Sequence, residues 1–86
     1  MKKETFKFLK ENIKDGRLYY RINSKKIGQV VGILNRINYK TAYVLIPKLG
    51  KIKEISIKRS KLNPPTKKEL NEAISGISGI LIIEAL

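Results

Sequence analysis

Apolar positions recur along this chain with changing spacing, and each spacing predicts a different element. From Lys3 to Ile13, Phe6, Leu9 and Ile13 stand at i, i+3 and i+7, which is one face of a helix. Lys14 suits the last turn, where a cation meets the negative end of the helix dipole, and Gly16 is placed as the C′ residue. Phe8 lies off the stripe, and an alternating strand with Phe6 and Phe8 on one side is the rival reading. Arg17 to Ile22 (RLYYRI) is short, apolar and bounded by Gly16 and Asn23-Ser24. It is an edge strand or a helical turn, and its Tyr and Ile favour the strand.

The middle of the chain reads as β structure. Gln29 to Ile37 is one segment and Thr41 to Pro47 the next, with Asn38-Tyr39-Lys40 as the turn and Asn38 suited to a left-handed conformation. In the second segment Ala42, Val44 and Ile46 point one way, and Thr41, Tyr43 and Leu45 the other. Leu49-Gly50 makes the following turn. Lys51 to Ile57 alternates, but the phase shifts at Glu54-Ile55, which predicts a bulge there. Three sequential strands with tight turns form an antiparallel meander.

Pro64-Pro65 ends the sheet, and Thr66-Lys67-Lys68-Glu69 is a capping-box pattern that opens a helix. Leu70, Ala73, Ile74 and Ile77 form its apolar face, and Gly76 and Gly79 are expected to fray its end. The very apolar Ile80 to Leu86 carries no stop signal. It continues the helix, adds a strand, or pairs with a second copy, and the pattern leaves all three open.

Composition narrows the functional classes. The 86 residues make one domain, and the 42% hydrophobic content, spread along the chain, argues against charge-driven disorder. Without Cys there are no disulfides or thiolate metal sites. Without His the commonest general base and neutral metal ligand are missing. The seven acids are scattered, and Asp15 and Glu54 meet only by an accident of folding, so no catalytic constellation, metal or cofactor is expected. Glu69 reads as a capping residue and Glu72 as a surface one. No apolar run approaches the ~20 residues of a membrane span, and the first residues do not resemble a secretory signal. A cytoplasmic protein is the default expectation, and the heavy use of Ile, Lys and Asn suits an AT-rich genome, bacterial or viral.

Charge gives the sharpest signal. The net charge is +12, and twelve cations face one acid, Glu54, between Gly16 and Lys61. A segment this basic repels itself and calls for a polyanionic partner, most simply DNA or RNA. Arg36, Tyr39, Lys40 and Tyr43 combine cations for phosphates with rings for stacking on unpaired bases. The competing explanation is a solvated hairpin with ordinary cross-strand pairs. Lys48, Lys51, Lys53, Lys58, Arg59 and Lys61 extend the candidate surface, with Lys51 and Lys53 on one strand face opposite Ile52. Each lysine singly is better explained as protecting a strand from aggregation, whereas the set favours phosphate binding. Lys25-Lys26 reads as a solvated turn.

Gly32-Ile33-Leu34-Asn35-Arg36-Ile37-Asn38-Tyr39-Lys40-Thr41-Ala42-Tyr43-Val44 resembles the pattern G-x-V-x-x-[IV]-N-x-K-T-[AV]-x-V of small SH3-like β-barrels. Such segments occur in small phage proteins and in tail modules of SprT-like proteins, and they are similar in style to KOW and Sm-like barrels. The resemblance covers roughly Lys26 to Leu62 and implies a hairpin, a third strand and a short turn ending in a buried Leu, a place that Leu62 fits. SprT-like enzymes carry a histidine zinc motif that this chain lacks, so only the appended module is shared. Gly32 within a strand marks a bend or a close backbone approach, and Leu34, Ile37 and Val44 are expected to fill the interior.

The resulting expectation is a mainly β domain, a small SH3-like antiparallel barrel over residues 17–62. A helix over 1–15 and a helix with an apolar tail over 66–86 cap its openings or pack together. Its expected role is that of a non-catalytic nucleic-acid-binding accessory protein of phage or bacterial origin, with low sequence specificity. The alternative is a protein-interaction module that meets an acidic surface of a host enzyme, with Ile80 to Leu86 as anchor or as a homo-oligomer contact. A ribosome-associated or virion structural role is a third possibility.

Overall fold

A computed structural model describes all 86 residues. The order is α1 (Lys3–Asn12), a 3-10 turn (Gly16–Leu18), β1 (Tyr19–Ser24), β2 (Gly28–Ile37), β3 (Thr41–Lys48), β4 (Lys51–Lys58), a second 3-10 turn (Arg59–Lys61) and α2 (Lys67–Ala85). The four strands form one antiparallel sheet in the order β1-β2-β3-β4: the predicted three-strand meander, with β1 added at the edge beside β2. The sheet is open, since β1 and β4 are not paired. One link joins its two sides. After the second 3-10 turn, Asn63 reaches β1, with Arg21 N donating to Asn63 O at 2.7 Å and Asn63 N to Arg21 O at 3.0 Å.

Both faces of the sheet carry apolar side chains. On the outer face Tyr19, Ile33 and Leu45 are buried under Leu9 of α1 and Ala73 and Ile77 of α2, with Ile52 against them. On the inner face Ile22, Ala42, Val44 and Ile46 pack with Val30, Leu34, Ile55, Ile57 and Leu62. A fully buried aliphatic or aromatic side chain contributes ~1.5–3 kcal/mol, so the central strand β3, with four buried residues in its eight, anchors the domain.

Two-sided burial also explains the shifted alternation in β4. Ile52 serves the outer cluster, and Ile55 and Ile57 the inner one. The β3–β4 register runs unbroken from Thr41↔Lys58 to Lys48↔Lys51, so the bulge expected at Glu54-Ile55 is absent. The irregularity lies in β2, where the register with β3 shifts between Leu34 and Arg36 and leaves Asn35 as the extra residue. Gly32 makes the close approach expected of it. A Cβ there would stand 2.5 Å from Leu45 O and 2.7 Å from Val44 Cγ1.

Four further local expectations are corrected. Gly16 does not end α1; it opens the 3-10 turn capped by Asp15, and a side chain there would press on Leu70 at 3.1 Å. Arg17–Ile22 is therefore part turn and part strand. Asn38 is not left-handed; its Oδ1 accepts from the N–H groups of Lys40 (3.2 Å) and Thr41 (2.9 Å), which closes the turn without a positive φ. Ile37 shares a rung with Ala42 but lies at the sheet rim and is 42% exposed, so it does not fill the interior. Gly76 and Gly79 do not fray α2, which runs through them to Ala85 because Ile77 and Ile80 are buried beside them. The apolar tail thus continues the helix, and no helix is long and apolar enough to cross a membrane.

Glu69 does more than cap α2. It completes the capping box with Thr66, and its carboxylate also accepts from Arg21 of β1 (3.3 Å) and Gln29 of β2 (3.1 Å). The Thr66 N–H and the Arg21 guanidinium hold its carboxyl below the usual range. The helix start is thereby tied to the sheet edge.

Candidate nucleic-acid interface

The meander places alternate turns at opposite ends of the sheet. The β2–β3 turn and the exit from β4 share one end, and the β1–β2 and β3–β4 turns share the other. Eight residues of β3 separate the ends by at most roughly 24 Å. The ten candidate residues are divided accordingly into three groups.

At the first end Tyr39, Lys40, Lys58, Arg59 and Ser60 line an open concavity of about 610 Å³. Its floor is held in place: Lys40 N is bonded to Asn38 Oδ1, and Lys40 O accepts from Arg59 N at 2.9 Å. The Tyr39 ring is 86% exposed, and no carboxylate lines the concavity. Lys61 follows on the same 3-10 turn, exposed.

On the outer face the bulge turns both Asn35 and Arg36 toward Glu54. Asn35 Nδ2 donates to Glu54 Oε2 at 2.7 Å, and Arg36 Nη2 lies 3.6 Å from Glu54 Oε1. The Arg36 guanidinium sits 3.9 Å over the Tyr43 ring centroid. One face of Tyr43 is therefore already occupied, and the charge of Arg36 is partly answered. Both residues are thereby less available to a ligand than Tyr39 and Lys40.

At the second end Lys48 and Lys51 stand directly opposite one another, and Lys53 pairs with Ile46 on the next odd rung of that face. Lys26 joins Lys48 and Lys53 around a shallow depression floored by Ile27, Ile46 and Ile55. Lys40 does not share a groove with Lys51 and Lys53, since the length of the β3–β4 hairpin lies between them.

Few of these charges are compensated. Of the 19 Lys and Arg, only Arg17, Arg21 and Arg36 form ion pairs, with Asp15, Glu69 and Glu54, and no lysine does. No group of three acidic side chains is gathered where a metal ion would be held. Sequence reasoning missed Lys26 and Ser60. The signal for Lys26 was the meander itself, which brings the first and third turns to one end. Ser60 had no signal beyond its place beside Arg59.

No protein-family model, curated protein or solved structure matches the chain.

Proposed function

We propose that this chain is a small SH3-like barrel module that binds DNA or RNA through the phosphate backbone, with little sequence preference. The observation that carries the reading is the concavity of Tyr39, Lys40, Lys58, Arg59 and Ser60: three unpaired cations, one open ring and no acid, on a backbone fixed by two hydrogen bonds. Phosphates answer the cations, and an unpaired base stacks on Tyr39. The barrel reading draws support from Asn63, which carries the chain past β4 back to β1 in the manner of a short closing strand, and from Leu62, packed on the inner cluster. Catalysis has no part in this reading, and neither do a metal or a cofactor.

Affinity then rests mainly on released counterions. Neutralising six phosphates gives a log–log slope of affinity against salt of about −5 on duplex DNA. Fluorescence anisotropy with a labelled oligonucleotide from low to moderate salt measures it. A slope near that value supports the reading, and no binding of DNA or RNA at low salt overturns it.

A second reading has its own observation. Ile82, Ile83 and Leu86 are 65%, 68% and 100% exposed on the one part of the chain without excess positive charge. They would serve as the anchor if the basic surface met an acidic protein instead. A stoichiometric partner that survives nuclease treatment, together with failure to bind oligonucleotides, favours it.

A further inference from the structure

Each cationic end sets its positive charge beside an open apolar surface. At the first, the Tyr39 ring is 86% exposed among Lys40, Lys58 and Arg59. At the second, Lys26, Lys48 and Lys53 rim a depression of about 260 Å³ with Ile27, Ile46 and Ile55 beneath them. No carboxylate lines either one. This combination fits a ligand that offers anions and flat apolar faces together. A duplex offers the anions alone, because its base faces are covered by their own stack. An unpaired strand offers both, since its bases are free to stack on a ring or to sit against apolar side chains.

The strand β4 joins the two surfaces. It begins at Lys51, across from Lys48 of the depression, and ends at Lys58 of the concavity. None of its eight residues is buried, and it is paired with β3 alone. Its one acid, Glu54, is engaged by Asn35 and Arg36 on the outer face. Lys53, opposite Ile46, lies on the inner face, and Lys58, opposite Thr41, on the outer one. A ligand that touches both therefore crosses the free edge of β4, where N–H groups without a partner strand donate to phosphates. We infer that the substrate is an unpaired DNA or RNA strand laid along this edge, with one base stacked on Tyr39 and another seated over Ile27 and Ile55. This rests on the nucleic-acid reading above and deepens it by naming the form of nucleic acid. Eight residues of β4 span at most roughly 24 Å, and a stacked strand advances about 3.4 Å per nucleotide. About seven nucleotides thus join the two ends, and fewer where the bases are splayed apart. Duplex is bound as well, but through its phosphates only.

The test measures anisotropy at low salt with the full chain, labelled oligothymidylates of about 2 to about 12 nucleotides, and a hairpin duplex matched in phosphate number to the longest. Wild-type protein is expected to bind the longest single strand about tenfold more tightly than the duplex. Its affinity rises steeply between about four and about eight nucleotides, where one strand first reaches both ends, and then levels off. Tyr39→Ala, at an exposed turn position, weakens single-strand binding about tenfold and leaves duplex binding unchanged. The double variant Lys48→Gln, Lys53→Gln keeps the affinity for the tetranucleotide and loses the rise with length. Equal affinity for strand and duplex overturns the inference, as does equal weakening of both in Tyr39→Ala or a rise with length that survives the double variant. Displacement of the strand by polyglutamate of equal charge also overturns it and assigns the surface to an acidic peptide. Wild-type protein that binds no oligonucleotide defeats the underlying reading too, whereas equal binding of strand and duplex defeats this inference alone.

Discussion

Tyr19 shows how one side chain joins local structure to stability. Its ring is buried in the outer cluster, and its hydroxyl donates to Ile13 O at 2.6 Å, tying β1 to the end of α1. Burial pushes the phenol up to about 12 from 10.0. Between those values the unfolded chain loses the proton while the folded chain keeps it. The stabilisation is therefore complete below pH 10 and is lost as pH rises through 12. Tyr19→Phe is expected to lower stability at pH 7 by about 1 kcal/mol, a melting shift of ~4–8 °C, through the lost hydrogen bond. The same variant removes the alkaline loss, so denaturant midpoints for the two proteins converge above pH 10. Parallel curves across that range would exclude Tyr19 as the cause. At this scale the sequence was informative where one residue type has one use. Gly32 announces close packing because only a hydrogen fits beside Leu45 O. Asn38 is ambiguous because its side chain offers two ways to close a turn, a left-handed backbone or an Asx hydrogen bond, and the residue type does not choose between them.

Among the elements, α2 depends most on tertiary context. Its first turn is written into Thr66 and Glu69, and the capping box forms as expected. Its second half is not, because Gly76 and Gly79 each disfavour a helix by ~1 kcal/mol relative to Ala. Burial of Ile77 and Ile80 against the body of the domain outweighs that cost. A side chain added at either glycine meets nothing within 4 Å, so Gly76→Ala and Gly79→Ala are each expected to stabilise the protein by ~0.5–1 kcal/mol, read as an increased denaturant midpoint. A decrease would show that the glycines serve something other than helix permissiveness. The three-strand meander β2-β3-β4 and its turns at residues 38–40 and 49–50 are legible, since alternation and turn residues are local signals, whereas β1 is left between strand and helical turn because RLYYRI is too short to carry a period. The position of the bulge is not legible. Ile52 and Ile55 break a one-faced alternation, but a strand buried on both faces needs no such alternation, and two-sidedness depends on where the helices dock.

For the molecule as a whole, the basic central segment foretold a cationic surface but not its division. Adjacency in sequence made Lys40, Lys48, Lys51 and Lys53 look like one patch. The hairpin sends them to opposite ends, because each strand converts eight residues of sequence into its full length in space. Arg36 and Tyr43 have the chemistry of a nucleic-acid contact, but they satisfy one another, with Glu54 as a third member. What remains is a domain with two cationic ends, one carrying the open ring of Tyr39 and the other the exposed Leu49. The central claim, that these ends receive a nucleic acid, is tested most directly by a ¹H–¹⁵N correlation titration of the labelled protein with an oligonucleotide at low salt. The predicted result is a set of amide shifts confined to residues 39–40 and 58–61 at one end and to 26 and 48–53 at the other, all reversed by added salt. Shifts centred instead on Ile82 to Leu86, or none at any oligonucleotide concentration, would contradict it.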